Sequence, residues 1–295
     1  MAPRFRTRLL SSLWPLFAVL LFCQAPAARA DDAPEVKKYE VKSVTDVTYY
    51  DGEDMDKAKH KLDLYLPKDC KNFPVLFFVH GGAWVHGDKG QFGLYSGLGR
   101  FYASQGIGVV VANYRLSPGV KHPEHVKDVA RAFAWTVKNI EKYGGRTDQI
   151  FVSGHSAGGH LVALLATDET YLKAEGCGVK NIKGVIALSG VYEVPPKVLP
   201  QVFGTDEEVR KNASPTYHAR AGLPPFLIVY GDKDLKYCDK EPAQAFAKAL
   251  NDKGTPATVY EVPECNHILV LLSASSADAV VSKKMLEFIR AQTAK

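Results

Sequence analysis

The sequence predicts an α/β protein with a mainly parallel central sheet, an antiparallel hairpin on its amino-terminal side, helices on both faces and a small lid insertion. Three observations carry that prediction. Short, continuously apolar runs recur along the chain, as strands buried on both faces require. Segments of helical periodicity separate them. Of the 295 residues, 46% are apolar, enough to fill one large core.

Residues 1–30 are set aside before the elements are read. Arg4, Arg6 and Arg8 open the chain, residues 9–22 are apolar, and Ala28-Arg29-Ala30 forms an A-x-A cleavage site before Asp31, the pattern of a secretory signal. Cys23 follows the bulky Phe22, whereas a lipid-attachment site wants a small residue there, so no lipid anchor is expected. The expectation is an exported protein, periplasmic or secreted, with residues 31–295 as one domain. Removing the signal's four arginines from the 37 basic residues leaves 33 against 32 acidic ones. Such a balance offers no electrostatic footprint for nucleic acid or an anionic membrane. No later run reaches eighteen apolar residues, so no membrane partner is expected after cleavage.

Residues 41–50 and 60–66 are β-rich, and Leu62, Leu64 and Leu66 alternate as on a half-buried antiparallel strand. The Asp51-Gly52-Glu53-Asp54-Met55-Asp56 stretch between them reads as a solvated hairpin turn rather than a metal site. No C-x-x-C, H-E-x-x-H or calcium-loop pattern occurs, so neither metal nor cofactor is expected. Runs at 75–79, 109–112 and 150–152 read as buried parallel strands. Between the last two, Val126, Val129, Ala130, Phe133, Ala134, Val137 and Ile140 recur at helical spacing and stop near Gly144-Gly145. Further strands are expected at 185–188, 226–230 and 258–262, with helices at 242–250 and 275–290. The proline-rich residues 190–225 interrupt the alternation. They read as an insertion over the sheet's carboxyl edge, where open α/β sheets bind ligands.

Gly154-His155-Ser156-Ala157-Gly158 matches G-x-S-x-G, a sharp strand-to-helix turn that presents a serine at the sheet edge. With 14 serines and 24 glycines, chance supplies roughly 0.1 such matches in a chain of this composition, so its position between an apolar run and a helical stretch matters more than the pattern itself. The competing reading is a glycine-rich connection without catalysis. His80-Gly81-Gly82-Ala83-Trp84 directly follows the run at 75–79. Glycines there let the backbone approach a reacting carbonyl, and the backbone amides of Gly82, Ala83 and Ala157 are the candidate oxyanion donors, each worth about 3 kcal/mol in a transition state. An ordinary glycine turn would leave the same trace.

A serine nucleophile at such an elbow is followed in sequence by its acid and then by its histidine. Six of the nine histidines precede Ser156, His160 lies one helical turn past it, and His218 precedes the acid-bearing loop. His267, expected in the loop after 258–262, remains as the base. The acid lies in Gly231-Asp232-Lys233-Asp234, where either carboxylate could orient a histidine. Asp234 is favoured because it lies further out, leaving Asp232 beside the strand end to bond backbone N–H groups.

Together these residues resemble the α/β-hydrolase superfamily, in particular its bacterial feruloyl- and acetyl-esterase-like branch, related to hormone-sensitive-lipase-type carboxylesterases and kynurenine formamidases. HGGAWVHGDK at 80–89, ANYRLSP at 112–118, HPEHVKD at 122–128, GHSAGGHL at 154–161 and GDKD at 231–234 carry the resemblance, which spans about 62–289. It implies an α/β-hydrolase fold, Asp234 as the acid, and a serine carboxylesterase cleaving short-chain or aromatic esters of small or carbohydrate-linked molecules. The chain departs from the family pattern in H-G-G-A for H-G-G-G, and in Asn266 and Ile268 flanking the base. Two other functions stay open: an arylformamidase or other amide hydrolase with the same residues, and a noncatalytic hydrolase-fold binding protein. Four cysteines follow the signal. Because Asp234 and His267 must touch, a disulfide between the nearby Cys238 and Cys265 is favoured over the other pairings, with four separate reduced thiols as the alternative.

Overall fold

The computed structural model describes residues 38–294, so the expected signal segment and its cleavage site lie outside the described residues. The chain enters through β1 (Val41–Thr48) and β2 (Lys61–Pro67), then alternates: β3 (Phe73–Val79), α1 (Leu94–Ser104), β4 (Gly108–Ala112), α2 (Glu124–Asn139), β5 (Gly145–His155), α3 (Ala157–Thr167), α4 (Glu169–Ala174) and β6 (Gly184–Leu188). Two short helices, α5 (Pro200–Phe203) and α6 (Glu207–Asn212), lie between β6 and β7 (Phe226–Lys233). The chain ends through α7 (Lys240–Asp252), β8 (Ala257–Asn266), α8 (His267–Ala274) and α9 (Val280–Thr293).

The eight strands form one sheet in the order β1-β2-β4-β3-β5-β6-β7-β8. β2 is antiparallel to both its neighbours, and every pair from β4 to β8 is parallel. This is the α/β-hydrolase arrangement. Because side chains alternate along a strand, β3 sends Val75, Phe77 and Val79 into one core and Leu76 and Phe78 into the other. The first core is closed by α2, α3 and α7, the second by α1, α8 and α9. In α2 the stripe of Val126, Val129, Ala130 and Phe133 is buried while Lys127 and Lys138 stay outside. Every residue of α3 is buried, so this helix is enclosed within the fold.

Several elements differ from the sequence expectation, among them the short helices α4, α5 and α6, which were not expected. α1 was not expected, because Gly97 and Gly99 dilute its apolar stripe; Gly99 is there because Tyr65 packs where its side chain would stand. β8 runs on to Asn266, and α8 begins at once, where a loop was expected. The last helix starts at Val280 rather than near 275. Among the described residues, no helix is long and apolar enough to cross a membrane.

Candidate active site

Four neighbouring parallel strands end at one edge of the sheet, β5 level with β6 and β7 level with β8, and the residue after each is polar. Ser156 follows β5, Ser189 follows β6, Asp234 follows β7 and His267 follows β8. Pairing of β7 with β8 continues to Lys233 opposite Asn266, so the next residue on each strand is the acid on one and the histidine on the other. His267 Nδ1 and Asp234 Oδ1 lie 2.6 Å apart. Asp234 Oδ1 also accepts from the Leu235 N–H at 2.8 Å, while Oδ2 accepts from Ser189 Oγ at 2.6 Å and the Gly231 N–H at 3.0 Å. Burial pushes this carboxyl up, but the bonds from His267, Ser189 and Gly231 outweigh it and hold it below the usual carboxylate value. Asp232 is exposed and accepts from the backbone of Glu264 and Cys265, each at 2.9 Å, which ties β7 to β8. The structure therefore places Asp234, not Asp232, against the histidine.

Ser156 sits at the turn from β5 into α3 with φ 57° and ψ −120°, a conformation costing a residue with a side chain about 1–3 kcal/mol. Its N–H is held by Leu188 O at 2.9 Å, and its carbonyl accepts from the His160 N–H at 3.0 Å. The turn lies against the end of β3: a Cβ on Gly158 would stand 2.1 Å from Val79 O. Behind it, His155 is fully buried, which lowers its pKa to about 3 and keeps the ring neutral. Its Nε2–H donates to His267 O at 2.9 Å, and the two rings lie 4.5 Å apart. Asn266 caps α8 by accepting from the Ile268 and Leu269 N–H groups, at 3.1 and 3.0 Å. A base flanked by asparagine rather than glycine thus starts a helix and is fixed at its first turn.

The loop after β3 is strained. Gly82 has φ 118°, and a Cβ there would meet His86 O at 2.1 Å; Ala83 and Trp84 follow at 52° and 61°. Among the described residues the Gly82 and Ala83 N–H groups donate to no protein group. Ala157 opens α3, where N–H groups have no intrahelical partner. Buried supports hold the loop. His80 Nδ1–H donates to Gly81 O at 2.7 Å and the ring stacks on Tyr114 at 4.4 Å, and Tyr95 Oη accepts from the Gly81 N–H. At the far end of the loop, Asn113 accepts from the Lys89 N–H at 2.6 Å and donates to Asp88 at 2.8 Å. Arg115 then grips the buried Asp128 through Nε and Nη2, each at 2.8 Å. The ANYRLSP and HPEHVKD segments are therefore braces for this loop.

Ser156 opens onto a cavity of about 210 Å³ walled by Trp84, by Val191, Leu199 and Phe203 of the insertion, and by Tyr237 and Cys238. His267 does not line it. A larger groove of about 800 Å³ runs between the end of β1 and α2 and holds none of these residues. Among the described residues no group of three or more His, Cys, Asp or Glu side chains could hold a metal ion.

Sequence reasoning missed Ser189, whose only trace is a polar residue ending an apolar run. It also set aside His155 and His160 as bases without seeing what they hold. The favoured disulfide is corrected: Cys70, Cys177, Cys238 and Cys265 are all free thiols. Cys238 packs into the core under α7 and Cys265 into the core under α8 and α9, so the neighbouring loops send their sulfurs to opposite faces of the sheet.

The protein-family profile BD-FAE matches residues 62–250. Esterase LipC of Mycobacterium tuberculosis is 33% identical over 243 residues, covering 75% of this chain and 59% of that protein. Isoprenylcysteine alpha-carbonyl methylesterase ICME of Arabidopsis thaliana is 31% identical over 227 residues, 68% of this chain and 52% of that one. The chain thus spans a little over half the length of these curated relatives. Among solved structures, a truncated carbohydrate esterase from gut microbiota superposes with a TM-score of 0.74 at 22% identity, covering 88% of this chain and 99% of that one. Thermogutta terrifontis esterase 2 phosphoramylated by tabun superposes at 0.65 with 26% identity, covering 86% and 93%. The chain belongs to the BD-FAE family.

Proposed function

We propose that this protein is an exported serine carboxylesterase acting on small-molecule or carbohydrate-linked esters with short-chain or aromatic acyl groups. The 2.6 Å contact between His267 and a multiply bonded Asp234 with a buried side chain, at the same sheet edge as a strained Ser156, is the observation that carries the reading. Ser156 Oγ attacks the ester carbonyl as His267 takes its proton. The carbonyl oxygen becomes an oxyanion facing the free N–H groups of Gly82, Ala83 and Ala157. The carbon–oxygen bond to the alcohol breaks, and His267 gives its proton to the departing alcohol. Water, deprotonated by His267, then attacks the acyl-enzyme, and the acid leaves as Ser156 recovers a proton. Asp234 holds the ring and stabilises its protonated form throughout.

The alcohol departs beside His267, so a cavity that reaches Ser156 without touching His267 suits the acyl group. At roughly 30 Å³ for a water- or methylene-sized group, 210 Å³ holds about six or seven such groups, or one aromatic ring on a short spacer. Export rests on the pattern of residues 1–30.

A panel of acetyl, butyryl, octanoyl, palmitoyl, feruloyl and formanilide substrates tests the reading, together with organophosphate labelling and amino-terminal sequencing of the exported chain. Expected are turnover of acetyl to octanoyl and feruloyl esters with a collapse at palmitoyl, label on Ser156 alone, none in Ser156→Ala, and a mature chain starting at Asp31. Formanilide as the best substrate would replace the esterase by an amide hydrolase. No turnover and no label would leave a binding protein.

A further inference from the structure

We infer that His160 is a positioning residue that clamps the Gly82–Trp84 loop and the 190–225 insertion to the nucleophile's helix; this rests on the proposed esterase reaction. The imidazole is fully buried on α3, one turn past Ser156. Trp84 Nε1–H donates to His160 Nδ1 at 3.2 Å, and His160 Nε2 lies 2.7 Å from Ala213 O. The indole N–H can only donate and the carbonyl can only accept, so the tautomer is settled: Nδ1 is bare and Nε2 carries the proton. Burial, which lowers its pKa to about 4, keeps the ring in that neutral form.

Each partner belongs to a different functional segment. Trp84 follows Ala83 in the left-handed turn, and its indole packs edge-on to His160 at 5.0 Å and to Phe203 at 4.9 Å. Phe203, which also lies 5.7 Å from the His160 ring, is a wall of the cavity at Ser156, and Ala213 ends α6 of the insertion. A turn with three consecutive positive φ values persists only where its surroundings hold it. His160, which holds the turn's indole, is the side chain that anchors it from the nucleophile's helix. Without that anchor the turn relaxes, and the Gly82 and Ala83 amides rotate away from the place where negative charge develops. One imidazole therefore sets the oxyanion loop and the acyl wall together.

The test is kcat per titrated active site, with the active serine counted by organophosphate burst, for His160→Leu, His160→Gln, Trp84→Phe and the double variant His160→Leu/Trp84→Phe on an acetyl ester. Loss of a positioned oxyanion donor predicts a roughly 30- to 100-fold fall in kcat for His160→Leu, with KM within about threefold and the acid limb of kcat/KM unmoved. Glutamine can accept and donate through its amide, so His160→Gln recovers to within about tenfold of the parent. Trp84→Phe, which keeps a ring but loses the N–H, falls about five- to tenfold and adds little in the double variant. A titrated kcat equal to the parent's in His160→Leu, or no advantage of Gln over Leu, overturns the clamp, as does an unaffected Trp84→Phe should the leucine variant not fold. The parent's own turnover and Ser156 labelling separate these outcomes from failure of the esterase reading.

Discussion

The two sides of Ser156 are built by different means. On one side, Asp234 and His267 extend two paired strands by one residue each, and the ladder that ends at Lys233 and Asn266 delivers them to within 2.6 Å of one another. On the other side, the Gly82–Trp84 turn and the 190–225 insertion belong to no strand. Side chains from distant elements hold them: His80 on Tyr114, Trp84 on His160, and His160 on Ala213. Sheet register is a cooperative constraint shared by many backbone bonds, whereas a clamp of single imidazoles gives way when one ring changes. The acid–base side should therefore tolerate loss of supporting contacts, and the loop side should be the sensitive one.

The largest expected effect tests whether the ladder places the right acid. Asp234→Asn removes the carboxylate that orients His267 and should lower kcat by about 10³- to 10⁴-fold. Asp232→Asn, which loosens only the bonds to Glu264 and Cys265, should cost less than about tenfold in the same assay. The reverse ranking would mean that the two strands do not meet as described.

Acid should separate the two sides by stability. Burial lowers the pKa of His80, His125 and His160 to about 4 and of His122 and His155 to about 3. Four of these five support the loop side: His80 and His160 directly, His122 through its ring against Phe203 and its N–H to Val202 O, and His125 through Ser117. Each folded value lies below the ordinary 6.5, so the unfolded chain takes up the proton first. Stability from these rings is full above about pH 6.5 and falls as pH drops toward 4, by at most about 1.4 kcal/mol per pH unit for each histidine. Urea unfolding midpoints at pH 7.5 and 5.0 should differ accordingly, and His160→Gln should flatten the slope. Equal midpoints would show that these rings gain protons as readily folded as unfolded.

The smallest effect sharpens the comparison from the acid side. Ser189→Ala deletes one of four hydrogen bonds to Asp234 and leaves the strand register intact. A loss of about tenfold or less in kcat/KM is expected, on the scale of one hydrogen bond to a charged group. A loss matching Asp234→Asn would put Ser189 on an equal footing with the acid and end the distinction between ladder and support.

Much of this site is legible in the chain. The elbow at 154–158, the loop at 80–84 and the order serine, acid, histidine are local patterns, and local patterns survive in one dimension because a strand that ends and a helix that begins leave their marks within a few residues. Asp234 was preferred for its distance along a loop, and the structure puts it against His267 because that loop is the last step of a strand. α8 was hidden because Ile268, Leu269 and Leu272 face outward and blur its apolar stripe.

By itself, then, the sequence determined the alternation of buried strands with covering helices, and hence the fold class, together with the candidates Ser156, Asp234 and His267. Only the tertiary structure decided which face each side chain takes and which distant segments meet. It sends Cys238 and Cys265 to opposite cores, although their loops are neighbours. It brings Ser189 to Asp234 across 45 positions, and Trp84 to His160 across 76. The physical reason is that periodicity records whether a residue is buried, while its partner depends on strand order, register and twist, which no short stretch of sequence contains.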